Sequence, residues 1–294
     1  MNKATAAENS KTNGLSREQI SDRLEEAAEL LEAQGADRFR VRAYRMAADT
    51  VRNLKEEPAQ ILSREGFEGL IRLPAIGERL ARAIDEMSHT GSWIQLERMR
   101  GEAEPEELFQ SIPGVGSKTA RSIHEALHVD TLEALEIAAH DGRLEAVPGI
   151  GPRKSASIRA SLAAMLARRG RRGPDDHAEP SVAQLLKVDR AYRQQAGTGE
   201  LRKIAPRRFN PSGEAWLPIL HVDWNDWSYT ALFSNTALAH ELRRTHDWVV
   251  IYFARAGGRE HTRTVVTETR GPLEGQRVVR GREAECRNYY FDNQ

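Results

Sequence analysis

Ile20, Leu24, Ala27, Ala28 and Leu31 recur at helical spacing behind Ser16, and Ser16 with Gln19 forms a Ser-x-x-Gln capping pattern. Gly35 ends the predicted helix. A second predicted helix runs from Arg38 to Leu54, with Val41, Tyr44, Ala48 and Val51 inward and Arg40, Arg45 and Arg52 largely outward. The period changes in the second half. A helical stretch, Val182 to Gln195, leads into strand-like runs at Trp216–Val222, Trp227–Phe233, Trp248–Phe253, Thr264–Thr269 and Gln276–Arg280. Asp223–Asp226 and Gly257–Gly258 read as turns between neighbouring strands, and one helix, Thr236 to Arg244, interrupts them. Arg270 to Arg282 reads as a loop and an edge strand. Trp216, Trp224, Trp227 and Trp248 read as core and hairpin packing, with a base-stacking surface as the alternative.

The pattern divides the chain into a disordered leader over residues 1–14, a helical domain over 15–101, a second helical unit over 102–169, a linker over 170–181 and an α+β domain over 182–294. The expected fold class is an all-α array followed by a smaller α+β domain with a mostly antiparallel sheet. At 294 residues there is room for two cores. The first fourteen residues have no apolar run of the signal-peptide kind, and no apolar stretch approaches the ~20 residues of a membrane span. The single cysteine, Cys286, excludes a disulfide framework within the chain and a four-cysteine zinc site. A cytoplasmic protein without a membrane partner is the expectation. The 43 basic and 43 acidic residues cancel, but acids crowd the first helix and 102–107 while bases collect over 143–172, so a basic face fits a neutral total.

The first half repeats itself. Leu73-Pro-Ala-Ile-Gly77, Ile112-Pro-Gly-Val-Gly116 and Val147-Pro-Gly-Ile-Gly151 each precede a helical pattern with a basic residue in its first turn. Glycine permits positive φ and lets backbone approach a ligand closely. A helix amino terminus supplies free N–H groups and a dipole that favour an anion. Three such helix-hairpin-helix motifs make a site that holds phosphate and reads no base edge. The residues expected to bind DNA are Gly77, Arg79, Gly114, Gly116, Ser117, Lys118, Gly149, Gly151, Arg153 and Lys154. The preceding strand and the third glycine of a dinucleotide-binding loop are both missing.

Phe39-Arg-Val-Arg-Ala-Tyr-Arg-Met-Ala-Ala48, the first hairpin and Thr90-Gly91 together resemble the amino-terminal lyase domain of family X DNA polymerases. Phe109 to Leu162 resembles the tandem helix-hairpin-helix segment that follows it in bacterial members, including Thr131–Leu135 and Gly142–Leu144 between hairpins. The resemblance spans about residues 16–166. It implies backbone contacts beside a gap, nick or end in duplex DNA, and a role in repair. It also implies a monovalent cation, potassium or sodium, on the carbonyls of Gln110, Ile112 and Val115; no other cofactor is expected.

Several parts of that family are missing. The position of the Schiff-base lysine holds Ala83, which cannot form an imine. No Asp-x-Asp occurs to hold the magnesium ions of a polymerase palm, and no His-x-His opens a phosphoesterase domain. A binding protein without catalytic residues is therefore the leading expectation. The first rival is an enzyme: a lyase using Lys55, Lys118 or Lys154, or a nuclease built from His221, Asp223, His240, Glu241, His246, Asp247 and Glu268. The second is a protein-interaction scaffold. His124-Glu-Ala-Leu-His128 matches the zinc-protease pattern but falls on a hairpin helix, where both histidines read as surface residues. Arg202, Lys203, Arg207 and Arg208 form a basic stretch that either contacts phosphate or is simply solvated, and the partner of the second domain is unknown.

Overall fold

Ser16 caps the first helix as its spacing implies. Its hydroxyl accepts the Gln19 amide at 3.4 Å while the Gln19 side chain accepts the Ser16 amide at 2.9 Å. In the computed structural model, which describes residues 14–101, 105–129, 132–167, 179–255, 258 and 260–291, this helix, α1, covers Arg17–Ala33. The expected leader, Gly14 excepted, and most of the expected linker lie outside the described residues. Gly14 sits hard against α5 (Glu78–Thr90): a Cβ there would fall 1.9 Å from the Ser88 carbonyl oxygen.

Gly35, at φ 77°, turns the chain into α2 (Arg38–Arg52), which lies along α1. Short helices α3 (Pro58–Glu65) and α4 (Phe67–Ile71) lead to the first hairpin and α5, and α6 (Ile94–Arg100) closes the unit. Leu24, Leu31, Tyr44, Ile84, Met87 and Leu96 are fully enclosed in its core. Helices α7 (Pro105–Gln110), α8 (Ser117–Leu127), α9 (Leu132–His140) and α10 (Pro152–Ala167) form a second core around Phe109, Ile123, Leu135 and Leu162.

The remaining chain adds α11 (Val182–Thr198), α12 (Ala237–Glu241) and α13 (Glu283–Phe291) to a six-stranded sheet. Strands β1 (Lys203–Ile204), β2 (Leu217–Trp224), β3 (Trp227–Phe233), β4 (Val249–Arg255), β5 (His261–Thr267) and β6 (Arg277–Val279) pair in chain order, every pair antiparallel. The all-α array followed by an α+β domain is the fold class expected. Asn225, in the left-handed region at φ 54°, makes the tight turn between Trp224 and Trp227. The helix expected over 236–244 is shorter: Thr236 caps it, and Arg243 at φ 55° lies beyond its end.

Register shows why these strands read as long apolar runs. Tyr229, Ala231 and Phe233 lie beside Phe253, Ile251 and Val249 on the face covered by α11, where Tyr192 meets Phe233 edge-on at 4.8 Å. His221, Thr230, Leu232, Val250 and Tyr252 share the opposite face. That face meets the helical array: the His221 ring reaches Gln34, and the Arg98 guanidinium lies 3.5 Å from the Tyr252 ring centre. A sheet covered on both sides loses the apolar-polar alternation of a half-exposed one. Short edge strands β1 and β6 leave little unpaired backbone at the two ends.

Candidate nucleic-acid interface

The three repeats fold into the same structure, bond for bond. The amides of Ile76, Val115 and Ile150 donate to the carbonyls of Leu73, Ile112 and Val147 at 3.2, 3.0 and 3.0 Å. The middle residue carries positive φ: Ala75 at 60°, Gly114 at 82° and Gly149 at 83°. Proline at the second position and positive φ at the third define a type II turn, which accounts for the Pro-Gly pair. The last glycine plays a different part. Gly77 and Gly116 have extended backbone, φ −80° and −87°, and cap α5 and α8 without any side-chain hydrogen bond. No neighbouring protein atom lies within 4 Å of a Cβ built on Gly77, Gly116 or Gly151. Each turn therefore presents uncovered helix-terminal amides beside open space.

The second and third hairpins are joined where the Lys154 ammonium donates to the Thr119 hydroxyl at 2.8 Å. Ser117, Lys118, Arg121 and Arg153 are exposed around them. Among the described residues these three cations have no acidic partner, and Lys118 and Arg121, three apart, share one side of α8. The first hairpin differs. Arg79, expected to face phosphate, is turned inward, donating to the Tyr44 hydroxyl at 3.1 Å with its guanidinium 5.5 Å from that ring. Glu78 follows Gly77 directly and pairs with Arg82. With Arg79 turned inward and Arg82 paired to Glu78, the first hairpin offers backbone amides without added charge. Of the carbonyls expected to hold a cation, Ile112 accepts the Val115 amide, which leaves one lone pair; such oxygens are ligands of the kind alkali ions take.

Arg40 is also corrected from outward to buried, because the sheet covers α2. Burial, and then the neighbouring Arg79 charge, hold its guanidinium below the usual arginine range. His221 lies over the same cluster. Burial first, then Arg40, Arg98 and Arg79, hold it well below the usual range, so it is neutral. The Gln34 amide nitrogen donates to the Met99 carbonyl, which leaves its oxygen to accept from His221 Nε2 at 2.8 Å, while Thr230 donates to Nδ1 at 2.9 Å.

The His-Glu-x-x-His segment has become part of the seam between the halves, and its histidines are not surface residues. His128 lies past the end of α8 at φ 52°, so the two rings do not share a helical face. Its ring meets Trp248 edge-on at 5.0 Å, and burial pulls its pKa down to about 3. His124 and Arg208 lie 2.9 and 2.6 Å from Glu106. Burial raises the Glu106 carboxyl, but His124 and then Arg208 outweigh it and bring it to about 2. Glu125 accepts the amides of Ala237 and Leu238 at 3.0 and 2.7 Å, anchoring α12 to α8.

The polar candidates of the second domain are dispersed. His240 bonds Asn235, Asp247 pairs with Arg277, and Glu268 pairs with Arg280. Among the described residues no three metal-ligating side chains converge, and no helix is long and apolar enough to cross a membrane. Ala83, at the lyase position, is buried in α5. Sequence reasoning missed the seam itself: Gln34, Arg98, Gly101, Glu106, Glu125 and Glu260. The available signal was His221 and Thr230, polar residues in the apolar runs of β2 and β3.

Comparison with known proteins agrees with this geometry. A helix-hairpin-helix domain matches residues 16–93, and a SAM-like helix-hairpin-helix tandem matches residues 106–164. The Holliday junction branch migration complex subunit RuvA of Methylobacterium radiotolerans is 32% identical over 95 residues, 32% of this chain and 46% of the relative. RuvA of Methylobacterium nodulans is 34% identical over a stretch of the same length and shares. The DNA polymerase/3'-5' exonuclease PolX of Bacillus subtilis is 28% identical over 141 residues, 47% of this chain and 24% of the relative. The chain thus spans less than half the length of each of these relatives.

Proposed function

We propose that this chain binds DNA through the sugar–phosphate backbone, without regard to sequence, and acts on DNA structure in repair or recombination. The observation that carries this reading is the threefold hairpin with open helix-terminal amides, two copies of which are flanked by the exposed cations Lys118, Arg121 and Arg153. Backbone amides and guanidinium or ammonium groups position phosphate and read no base. The preferred target is duplex interrupted by a gap, nick or end, the substrate implied by the family X resemblance; the likeness to PolX, a DNA polymerase and exonuclease, supports DNA as the partner. The likeness to RuvA supports a second target, a branched junction.

A potassium or sodium ion on the Gln110, Ile112 and Val115 carbonyls would stiffen the second turn; only the chemistry of those oxygens supports it. The test is fluorescence anisotropy of the full chain with blunt, gapped, nicked and four-way junction DNA over a salt series. Three outward cations give an expected log–log slope of about −3, at about 0.9 per neutralised phosphate. Binding that ignores salt on every DNA would reject the reading. The ranking of gapped duplex against junction decides between the two targets.

A further inference from the structure

Phe209 is an oddity for packing to explain. It is 46% exposed, and its backbone stands in the left-handed region at φ 52°. A bulky residue there is strained, and such strain is normally offset by burial. Instead the ring is held outward by a relay of contacts. Asn235 donates to the Arg208 carbonyl at 3.0 Å, which directs its side-chain oxygen to accept from His240 Nε2 at 2.6 Å. The His240 ring then lies 4.7 Å from Phe209, and Trp216 continues the row at 6.2 Å from His240 and 6.5 Å from exposed His246. The Arg208 guanidinium sits 5.3 Å from the Phe209 ring, and exposed Arg243 lies just beyond α12. Arg208 is itself pinned to the helical array through Glu106 at 2.6 Å. The ledge therefore has a fixed position relative to the second hairpin.

We infer that this aromatic ledge, Phe209-His240-Trp216, stacks one or two unpaired bases of a DNA strand that leaves the tandem hairpins. Aromatic faces flanked by arginine take single-stranded bases in any sequence. The spacing fits one strand reaching both places. Glu125, which anchors α12, lies nine residues beyond Gly116 along α8, about 13 Å at 1.5 Å per residue. That is a span of a few nucleotides of strand backbone. This inference rests on the DNA-binding reading and assigns the sheet domain its share of the substrate.

The full chain would be titrated by anisotropy with a blunt duplex, the same duplex carrying a five-thymidine tail, and a free ten-thymidine strand. The tail is expected to tighten binding about five- to tenfold, the worth of stacking roughly one base. Phe209→Ala should abolish that gain and leave blunt-duplex affinity unchanged, while Phe209→Tyr should restore it. His240→Ala serves as the second variant if Phe209→Ala does not fold. A tail without effect, or a gain that survives both alanine variants, overturns the ledge and leaves the hairpin reading standing. Loss of blunt-duplex binding with retained, Phe209-dependent binding of free thymidine strand would sink the hairpin reading and support the ledge. No binding to any of the three would reject both.

Discussion

At the scale of single residues, the two glycines of the second and third hairpin turns have separable jobs. Gly114 needs its φ of 82° for the type II turn, whereas Gly116 has an extended backbone that any residue adopts and empty space where a side chain would point. Gly114→Ala is therefore expected to cost about 1 kcal/mol of stability in denaturant unfolding. Gly116→Ala should leave stability within about 0.5 kcal/mol yet weaken DNA binding roughly tenfold, because its methyl would stand between phosphate and the amides. Equal effects of the two on stability would contradict this division. The cations separate in the same way. Lys118→Ala should lower the salt slope by about one. Arg79→Ala should not change the slope, since Arg79 serves Tyr44, and should instead lower stability by about 1 kcal/mol through the lost ring contact.

At the scale of elements, α8 carries phosphate-facing residues at its start and seam residues at its end, and the end titrates. His128 is held neutral to about pH 3. Above its unfolded pKa of about 6.5 neither state binds a proton there, so stability does not change. Between about 6.5 and 3 only the unfolded chain takes the proton, and stability falls as pH falls, by about 1.4 kcal/mol per unit. His128→Asn tolerates the left-handed backbone and removes this group. At pH 4.5 the variant should have escaped about 2–3 kcal/mol of the wild-type loss, read as the difference between their pH–stability curves. Coincident curves would show that His128 is not buried neutral. The sequence made the start of α8 legible and not its end, for a physical reason. Caps, type II turns and strand periods are set by residues a few positions apart, so the Ser16 box, all three hairpins and β3 could be read directly. The roles of His128 and Glu125, and the inward turn of Arg40 and Arg79, depend on partners or a covering sheet far away in sequence. A basic residue behind a hairpin glycine looks alike whether it meets solvent or a tyrosine.

At the scale of the whole molecule, the question is whether the sheet domain rides passively on the hairpin array or completes its surface, and Gly101 is the position that tests it. This glycine ends the first helical unit at φ 84°, and its carbonyl accepts the Arg207 amide at 2.8 Å. A Cβ there would fall 2.6 Å from the Ala205 carbonyl oxygen, so backbone meets backbone with no side chain able to yield. The seam also carries polar contacts: Arg98 with Glu260 at 2.8 Å, Arg208 with Glu106 at 2.6 Å, and His221 with Gln34 at 2.8 Å. Such contacts require good geometry to offset their desolvation, so a small displacement weakens all of them together. Each side nevertheless keeps its own apolar core. Gly101→Ala should therefore undock the sheet without unfolding either side. Where the wild type is expected to unfold in a single calorimetric transition, the variant should show two, and amide exchange in β2 and β4 should rise. Left-handed strain alone would remove only about 1–2 kcal/mol and keep one transition. The tandem hairpins hold Lys118, Arg121 and Arg153 independently of the sheet, so the variant should keep the wild-type salt slope on blunt duplex. The ledge around Phe209 loses its fixed distance from α8, so the same variant should forfeit the gain from a single-stranded tail. An undocked protein that still gained fully from the tail would show that the seam holds the two binding surfaces together without setting their spacing.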